Sequence, residues 1–348
     1  MAPIPETDST VSRIYRAYEQ RENRRPRAHL GASMIGRECE RELWLSFRWA
    51  DYPRYEGRIL RLFARGQREE PAFVANLRAA GMEVLVVDPA TGRQYQFSDL
   101  GGHVGGSMDG AALGLPEAPK AWHVLEFKTH GAKSFAGLMQ NGVLKAHPEH
   151  FAQVQLYMGW SGMDRAFYLA VCKDTDELYG ERIAFDRAVF EALIERAGRI
   201  VFAAEPPPRI SESPAFFRCK FCLYHGVCHG ALFPKANCRT CAHVTPRDDG
   251  AWHCARHDKT RTTDEQHAGC PMHLFIPPLM PLPVRAAGEG WVRYEFGEQL
   301  IANVSEGAAA PAGAVPFASA ELSLLAVDQL ETVISAKQAL GGQVVNAP

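Results

Sequence analysis

The sequence predicts an α/β protein: a central mixed sheet flanked by helices, with a small cysteine-rich, metal-binding appendage. Three observations carry this expectation. Apolar residues recur at helical spacing over 58–80, then switch to short strand-like runs at 82–88, which is rich in valine, 102–107 and 122–128. A helical stretch at 147–161 and a strongly apolar run at 165–173 follow, and this order of helix, three strands, helix and strand fits a mixed sheet covered by helices. Finally, eight of the nine cysteines fall outside the apolar strands, seven of them between Phe216 and His273.

The elements are read in chain order. Residues 11–23 form a polar helix, and His29–Ser33 a turn with Ser33 as a helix cap. Residues 34–48 continue as a helix with Ile35, Cys39, Leu43, Trp44 and Phe47 in phase. The helix at 58–80 closes at Gly81. After the three strands, the 147–161 helix carries Gln153 and Tyr157. Glu181–Phe185 pairs near the 165–173 strand, and 186–204 is helical until Pro206-Pro207-Pro208 stops it. Trp291–Phe296 is one strand of a hairpin, 306–316 a flexible linker rich in Ala, Gly and Pro, and 319–339 a terminal helix. The expected division is an N-terminal helical arm at 1–28, a main domain at 29–232, a cysteine-rich module and connector at 233–304, and a linker with terminal helix at 305–348.

Composition is that of an ordinary globular chain: 348 residues, 46% apolar, 22% charged, net charge −2. No apolar run is long enough to span a bilayer and the first residues lack a signal pattern, so the expected location is the cytoplasm, with no membrane partner. Arginines cluster at Arg21, Arg24, Arg25 and Arg27, and again at Arg58, Arg61, Arg65 and Arg68, either as a solvated face or as phosphate contacts. Regularly spaced cysteines in a reducing compartment point to metal rather than disulfides.

The chemistry centres on Asp109, in Ser107-Met108-Asp109-Gly110, and on Glu126-Phe127-Lys128. On a strand, Glu126 and Lys128 share one face because side chains alternate. Two carboxylates suit a hard divalent cation, and a lysine beside them can orient water or offset phosphate charge. No phosphate-binding loop of the Gly-x-x-x-x-Gly-Lys type is present, so any unwinding motor is a separate protein.

These motifs, over roughly residues 30–230, resemble the PD-(D/E)XK nuclease superfamily in its RecB-like and lambda-exonuclease-like branches. Ser107-Met108-Asp109-Gly110 is similar to the family's Ser-Pro-Asp-Gly, with Met108 in place of proline, and Glu126-Phe127-Lys128 is similar to its Glu-x-Lys. Gly66-Gln67-Arg68-Glu69-Glu70 resembles the Gly-x-x-x-Glu helix motif, which nominates Glu70; Glu69 points about 100° away on a helix. Gln67 stands where RecB-like enzymes often carry histidine. Gln153-Val154-Gln155-Leu156-Tyr157 resembles the Gln-x-x-x-Tyr motif, whose glutamine lies by the active site and whose tyrosine packs near DNA. The resemblance implies Mg²⁺ or Mn²⁺ on Glu70, Asp109 and Glu126, with Lys128 positioning the attacking water.

Cys219-x2-Cys222-x5-Cys228 supplies three thiolates, and Cys39 is the best candidate for a fourth. This arrangement resembles that of iron–sulfur nucleases among RecB-like proteins, including AddB-type domains and CRISPR-associated exonucleases, and implies a 4Fe–4S cluster that staples the two ends of the domain. Cys238-x2-Cys241-x12-Cys254-x15-Cys270 suggests a zinc module, with His253, His257 and His267 as substitute ligands. A zinc-ribbon partition pairing Cys219 and Cys222 with Cys238 and Cys241 stays open. Cys172 reads as a small buried hydrophobe. The expected function is a metal-dependent DNA exonuclease of recombination or end processing, of phage or prophage origin, working beside a single-strand annealing or binding protein or a helicase. A restriction- or repair-type endonuclease and a non-catalytic DNA-binding adaptor are the alternatives.

Overall fold

The computed structural model describes residues 9–22 and 25–345. Arg24 and both ends of the chain, including the start of the expected arm at 1–28, lie outside the described residues.

The chain opens with α1 (Thr10–Arg21), capped by the Ser9 side chain, then β1 (Leu30–Gly31), α2 (Ala32–Ile35), α3 (Glu40–Phe47) and α4 (Gly57–Ala79). The expected helix over 34–48 is therefore two short helices. Gly36 explains the break: a Cβ there would lie 2.6 Å from the Ala152 Cβ and 2.8 Å from the Glu149 Cα, so the backbone must approach another helix closely. The break leaves Cys39 as the cap residue of α3, not inside a helix. The expected turn at 29–33 contains β1, which pairs in parallel with a later strand.

Next come β2 (Glu83–Leu85), β3 (Gln96–Asp99), β4 (Val104–Ser107), β5 (Gly110–Leu113), β6 (His123–His130), α5 (Ala132–Ala146), α6 (Pro148–Ser161), β7 (Arg165–Cys172), β8 (Leu178–Ala184) and α7 (Arg187–Phe202). The main sheet has the order β2-β5-β6-β7-β8. It is mixed: β6 runs parallel to β7, while the other neighbours are antiparallel. A smaller sheet, β1-β4-β3, lies beside it in sequence. The sequence reading missed β3, β5 and α5. β5 is Gly-Ala-Ala-Leu, without a β-branched residue, and α5 is interrupted by Gly142 in a non-helical conformation.

The two faces of the sheet differ as alternation requires. Leu125, Phe127, Phe167, Leu169 and Val171 pack against Phe73, Val74 and Leu77 of α4, with the Phe73 and Phe127 rings stacked 5.0 Å apart. Burying each such side chain contributes about 1.5–3 kcal/mol. The opposite face carries Glu126, Lys128 and His130 beside Tyr168, the register partner of Glu126. α6 covers part of this face. It starts with Pro148 at its first turn and stops at Gly162 in the left-handed region (φ 73°).

After 205 come α8 (Phe217–Lys220), α9 (His225–Cys228), β9 (Val244–Pro246), β10 (Trp252–Cys254), β11 (Lys259–Thr260) and α10 (Thr263–Ala268). A distinct cysteine-rich appendage was the expectation, and among the described residues none stands apart. Cys238, Cys241, Val244, Trp252 and Cys254 belong to the same buried core as Trp44, Phe47, Tyr157 and Tyr168. Two buried arginines weld the parts. Arg239 donates to Phe47 O (2.9 Å), Ala28 O (2.9 Å) and Gln266 Oε1 (2.8 Å), and lies 3.7 Å over the Trp49 ring. Arg48 donates back to Ala203 O (2.9 Å), Arg239 O and Val244 O (both 3.3 Å).

The chain ends in β12 (Val284–Gly288), β13 (Trp291–Phe296), β14 (Gln299–Val304), β15 (Val315–Phe317), α11 (Ser319–Leu322) and α12 (Leu330–Leu340). The expected linker at 306–316 runs into β15, which pairs in parallel with β14. Phe317, Leu330 and Ile334 are buried with Phe233, Phe275 and Tyr294, so 305–340 shares a core with the segment before it.

Candidate active site and metal centres

Asp109 sits just before β5. Gly110 follows because a Cβ there would lie 2.7 Å from Leu85 O. Asp109 Oδ2 accepts the Phe127 N–H at 2.7 Å, which fixes the carboxylate at the β6 residue between Glu126 and Lys128. Glu126 is fully buried. Lys128 Nζ donates to Glu126 Oε1, whereas Glu126 Oε2 is buried without a partner among the described residues. Glu70, on α4, is exposed.

The charges interact strongly. Burial pushes the Glu126 carboxyl up to about 7; Lys128 opposes the shift, and Asp109 adds to it. Burial also raises Asp109, against Lys128 and the Phe127 N–H. Glu70 is raised by partial burial and by the Asp109 charge. Burial pulls Lys128 down, but Glu126, Asp109 and Glu70 outweigh it and hold the ammonium above its usual range. Three carboxylates thus face one ammonium. The surplus negative charge and the unpartnered Glu126 oxygen suit a divalent cation.

Gln153 and Tyr157 lie on the α6 face turned to this site. Gln153 Nε2 donates to Tyr157 OH at 3.2 Å, and burial, then the Glu126 charge, raises the Tyr157 pKa. Gly106 makes room for that ring: a Cβ there would lie 2.9 Å from the Tyr157 hydroxyl.

Three histidines that the sequence reading passed over lie alongside. His147, Glu149 and His150 offer ligand atoms within 4.8 Å of one another, a group able to hold a metal ion. Ser134 Oγ is 3.2 Å from His147 Nε2 and 3.0 Å from His130 Nδ1. Tyr168 OH is 3.0 Å from His150 Nδ1 and 2.9 Å from His130 Nε2. Burial, then neighbouring charge, lowers His130 to about 4 and His150 to about 2, so both are neutral. Two signals were available in the sequence: His130 follows Lys128 at strand period, and His147 and His150 are spaced i, i+3 just before Gln153.

All nine cysteines are unpaired. Cys39, Cys219, Cys222 and Cys228 line one cavity of about 970 Å³, together with Lys128, His150 and Gln153. Burial raises Cys222 to about 12, and the Cys39 and Cys228 thiols add to this, so the separated cysteine is brought to the cluster of three. In the second set, burial raises Cys238 to about 12, Arg261 opposes it, and Cys241, Cys270 and Cys254 add to it. Arg261 lies 3.7 Å from Cys254 Sγ, and His257 Nε2 lies 3.7 Å from Cys270 Sγ. His103 is a hydrogen-bonded histidine, with Nε2 2.8 Å from Arg247 O, and Cys172 is buried.

The same cavity is lined by Arg37, Arg209 and Arg218 and by Phe63, Phe217 and Phe221. Phe217 and Phe221 are 71% and 69% exposed at its rim. Among the described residues, no helix is long and apolar enough to cross a membrane.

No family model and no curated protein matches the sequence. Among solved structures, the chain is similar to the crystal structure of SSO0001, at 11% identity and TM-score 0.40, over 64% of this chain and 96% of that one. It is also similar to LHK-Exo in complex with dAMP, at 16% identity and TM-score 0.34, over 54% of this chain and 89% of that one. A second structure of that alkaline exonuclease, from Laribacter hongkongensis, matches at 16% identity and TM-score 0.33 over the same shares.

Proposed function

We propose that the protein is a metal-dependent deoxyribonuclease that hydrolyses phosphodiester bonds at DNA ends. The observation that carries this reading is the buried Glu126 Oε2 left without a partner, in a carboxylate whose other oxygen pairs with Lys128 and whose strand neighbour Phe127 binds Asp109. Glu126 and Asp109 would hold Mg²⁺ or Mn²⁺, with Glu70 completing the set from α4. A cation there supplies stabilisation of the charge that develops on the scissile phosphate. Lys128, held protonated by the carboxylates, orients the attacking water and offsets phosphate charge. Gln153 and Tyr157 bound the site from α6. Arg37, Arg209 and Arg218 would neutralise backbone phosphates along the cavity, and Phe217 and Phe221 would stack on bases.

The same reading assigns a 4Fe–4S cluster to Cys39, Cys219, Cys222 and Cys228, because thiolate-only ligation and a shared cavity suit it. It assigns zinc to Cys238, Cys241, Cys254 and Cys270, with Arg261 compensating the surplus thiolate charge.

The test is digestion of end-labelled linear duplex and of circular DNA by protein purified without oxygen, with Mg²⁺ or Mn²⁺, beside a Lys128→Ala control. Loss of label from linear DNA alone, abolished in the control, supports end-directed hydrolysis. Cleavage of circular DNA makes the protein an endonuclease. Binding without metal-dependent cutting makes it an adaptor and ends the enzymatic reading.

A further inference from the structure

We propose that His147, Glu149 and His150 form a second metal site, separate from the carboxylate–lysine centre and built for a first-row transition cation such as Mn²⁺, Co²⁺ or Zn²⁺. The three residues bring two imidazoles and one carboxylate within 4.8 Å of one another. Imidazole ligands favour transition cations over Mg²⁺, which binds through oxygen. Three protein ligands leave coordination positions open, as in sites that bind a water or substrate oxygen.

Two further features distinguish this cluster from a chance grouping. Each histidine already has its second nitrogen engaged: His147 Nε2 by Ser134 Oγ, His150 Nδ1 by Tyr168 OH. With those oxygens accepting, His147 Nδ1 and His150 Nε2 are left as lone pairs for the ion, and His147 Nδ1 lies 3.9 Å from Glu149 Oε1. Metal-binding histidines are oriented by such partners. His130 braces both supports, with one nitrogen on Ser134 and the other on Tyr168.

The backbone fixes the spacing. His147 caps α6, Pro148 starts it, and Gly36 lets α2 come within van der Waals contact of Glu149. Glu149 and His150 line the cavity that Lys128 also lines, while His147 lines another with Ser134, so an ion held by the three would border the space where a phosphate would lie. The metal assignment stands on this geometry alone; only that last step rests on the nuclease reading.

The test uses full-length protein purified without oxygen and carrying Asp109→Asn and Glu126→Gln, which removes the carboxylate centre. It is titrated with Co²⁺ and followed by calorimetry and paramagnetic proton NMR. The expected result is one equivalent bound, with two hyperfine-shifted resonances that vanish in D₂O, one from each histidine ring N–H. Adding Glu149→Gln, a change at a partly exposed side chain that leaves the fold intact, weakens binding at least about tenfold, and His150→Asn abolishes the exchangeable signals. Cobalt on cysteine would instead give shifted signals that persist in D₂O. Absence of exchangeable signals, or Co²⁺ affinity unchanged by Glu149→Gln and His150→Asn, overturns the proposal and leaves the histidines as a hydrogen-bonded network. Because the background variant is catalytically dead by design, the result does not depend on whether the protein cuts DNA.

Discussion

Replacing Arg239 with methionine tests whether the cysteine-rich segment is part of the main fold. Methionine keeps the apolar stem and removes only the guanidinium. The change strands two buried acceptors, Phe47 O and Gln266 Oε1, and releases Ala28 O, on an exposed residue, to water. Each unsatisfied buried group costs about 1–3 kcal/mol. The stacking over Trp49, at 3.7 Å, contributes about 2 kcal/mol more in a dry site. Against this stands the several kcal/mol needed to bury a charged guanidinium beside Arg48, which the variant no longer incurs. The net loss is about 3 kcal/mol, a large share of the roughly 5–15 kcal/mol that stabilises a domain. Urea denaturation followed by tryptophan fluorescence measures it, since Trp44, Trp49 and Trp252 all surround the two arginines. Limited proteolysis should then release the 238–270 segment early. A variant within about 1 kcal/mol of the parent, with unchanged proteolysis, would refute the view that buried arginines join the two parts.

Three further outcomes are expected. Cys39→Ala should remove iron–sulfur absorbance and lower the melting temperature, while leaving Asp109, Glu126 and Lys128 in place; an unchanged spectrum would detach Cys39 from the cluster. Phe217→Ala and Phe221→Ala should each weaken single-strand DNA binding by about 1–3 kcal/mol, roughly 5- to 150-fold in Kd, with little effect on melting; unchanged binding in a fluorescence titration would remove the rings from the DNA path. His273 is buried, and burial lowers it to about 3, with Nε2 against Asn237 O and Nδ1 unpartnered among the described residues. Its folded pKa lies below the unfolded value of about 6.5, so the unfolded chain takes the proton first. Its stability contribution is complete above 6.5 and is lost as pH falls toward 3, at up to about 1.4 kcal/mol per unit. Between pH 6.5 and 5 the parent should therefore lose about 2 kcal/mol more than His273→Gln in chemical denaturation, and equal losses would contradict a neutral buried imidazole.

Much of the fold was legible in the chain. The helix expected at 58–80 runs from Gly57 to Ala79, and the strand expected at 165–173 runs from Arg165 to Cys172. Both have long, regular apolar patterns, because each buries one or both faces against a partner. Elements without such a pattern were missed. β5 pairs through backbone groups that its Gly-Ala-Ala-Leu sequence does not advertise, and α5 hides behind two glycines. At the site, Glu126 and Lys128 were readable because strand alternation is local, and their contact follows from it.

Residue types and short periods are properties of the chain, so the sequence was enough to nominate three carboxylates, a lysine and two sets of cysteines. Burial and long-range approach are not. The orphaned Glu126 oxygen, the meeting of Cys39 with Cys222 across 183 positions, and the return of Arg239 to the carbonyls of Ala28 and Phe47 exist only once the sheet and its helices have packed. So does the histidine cluster, which needs β6, α5, α6 and β7 together before Ser134 and Tyr168 can orient its rings. Local pattern selects which side chains a strand or helix presents; only packing decides which of them lose water, and therefore which need a cation or a hydrogen bond in its place.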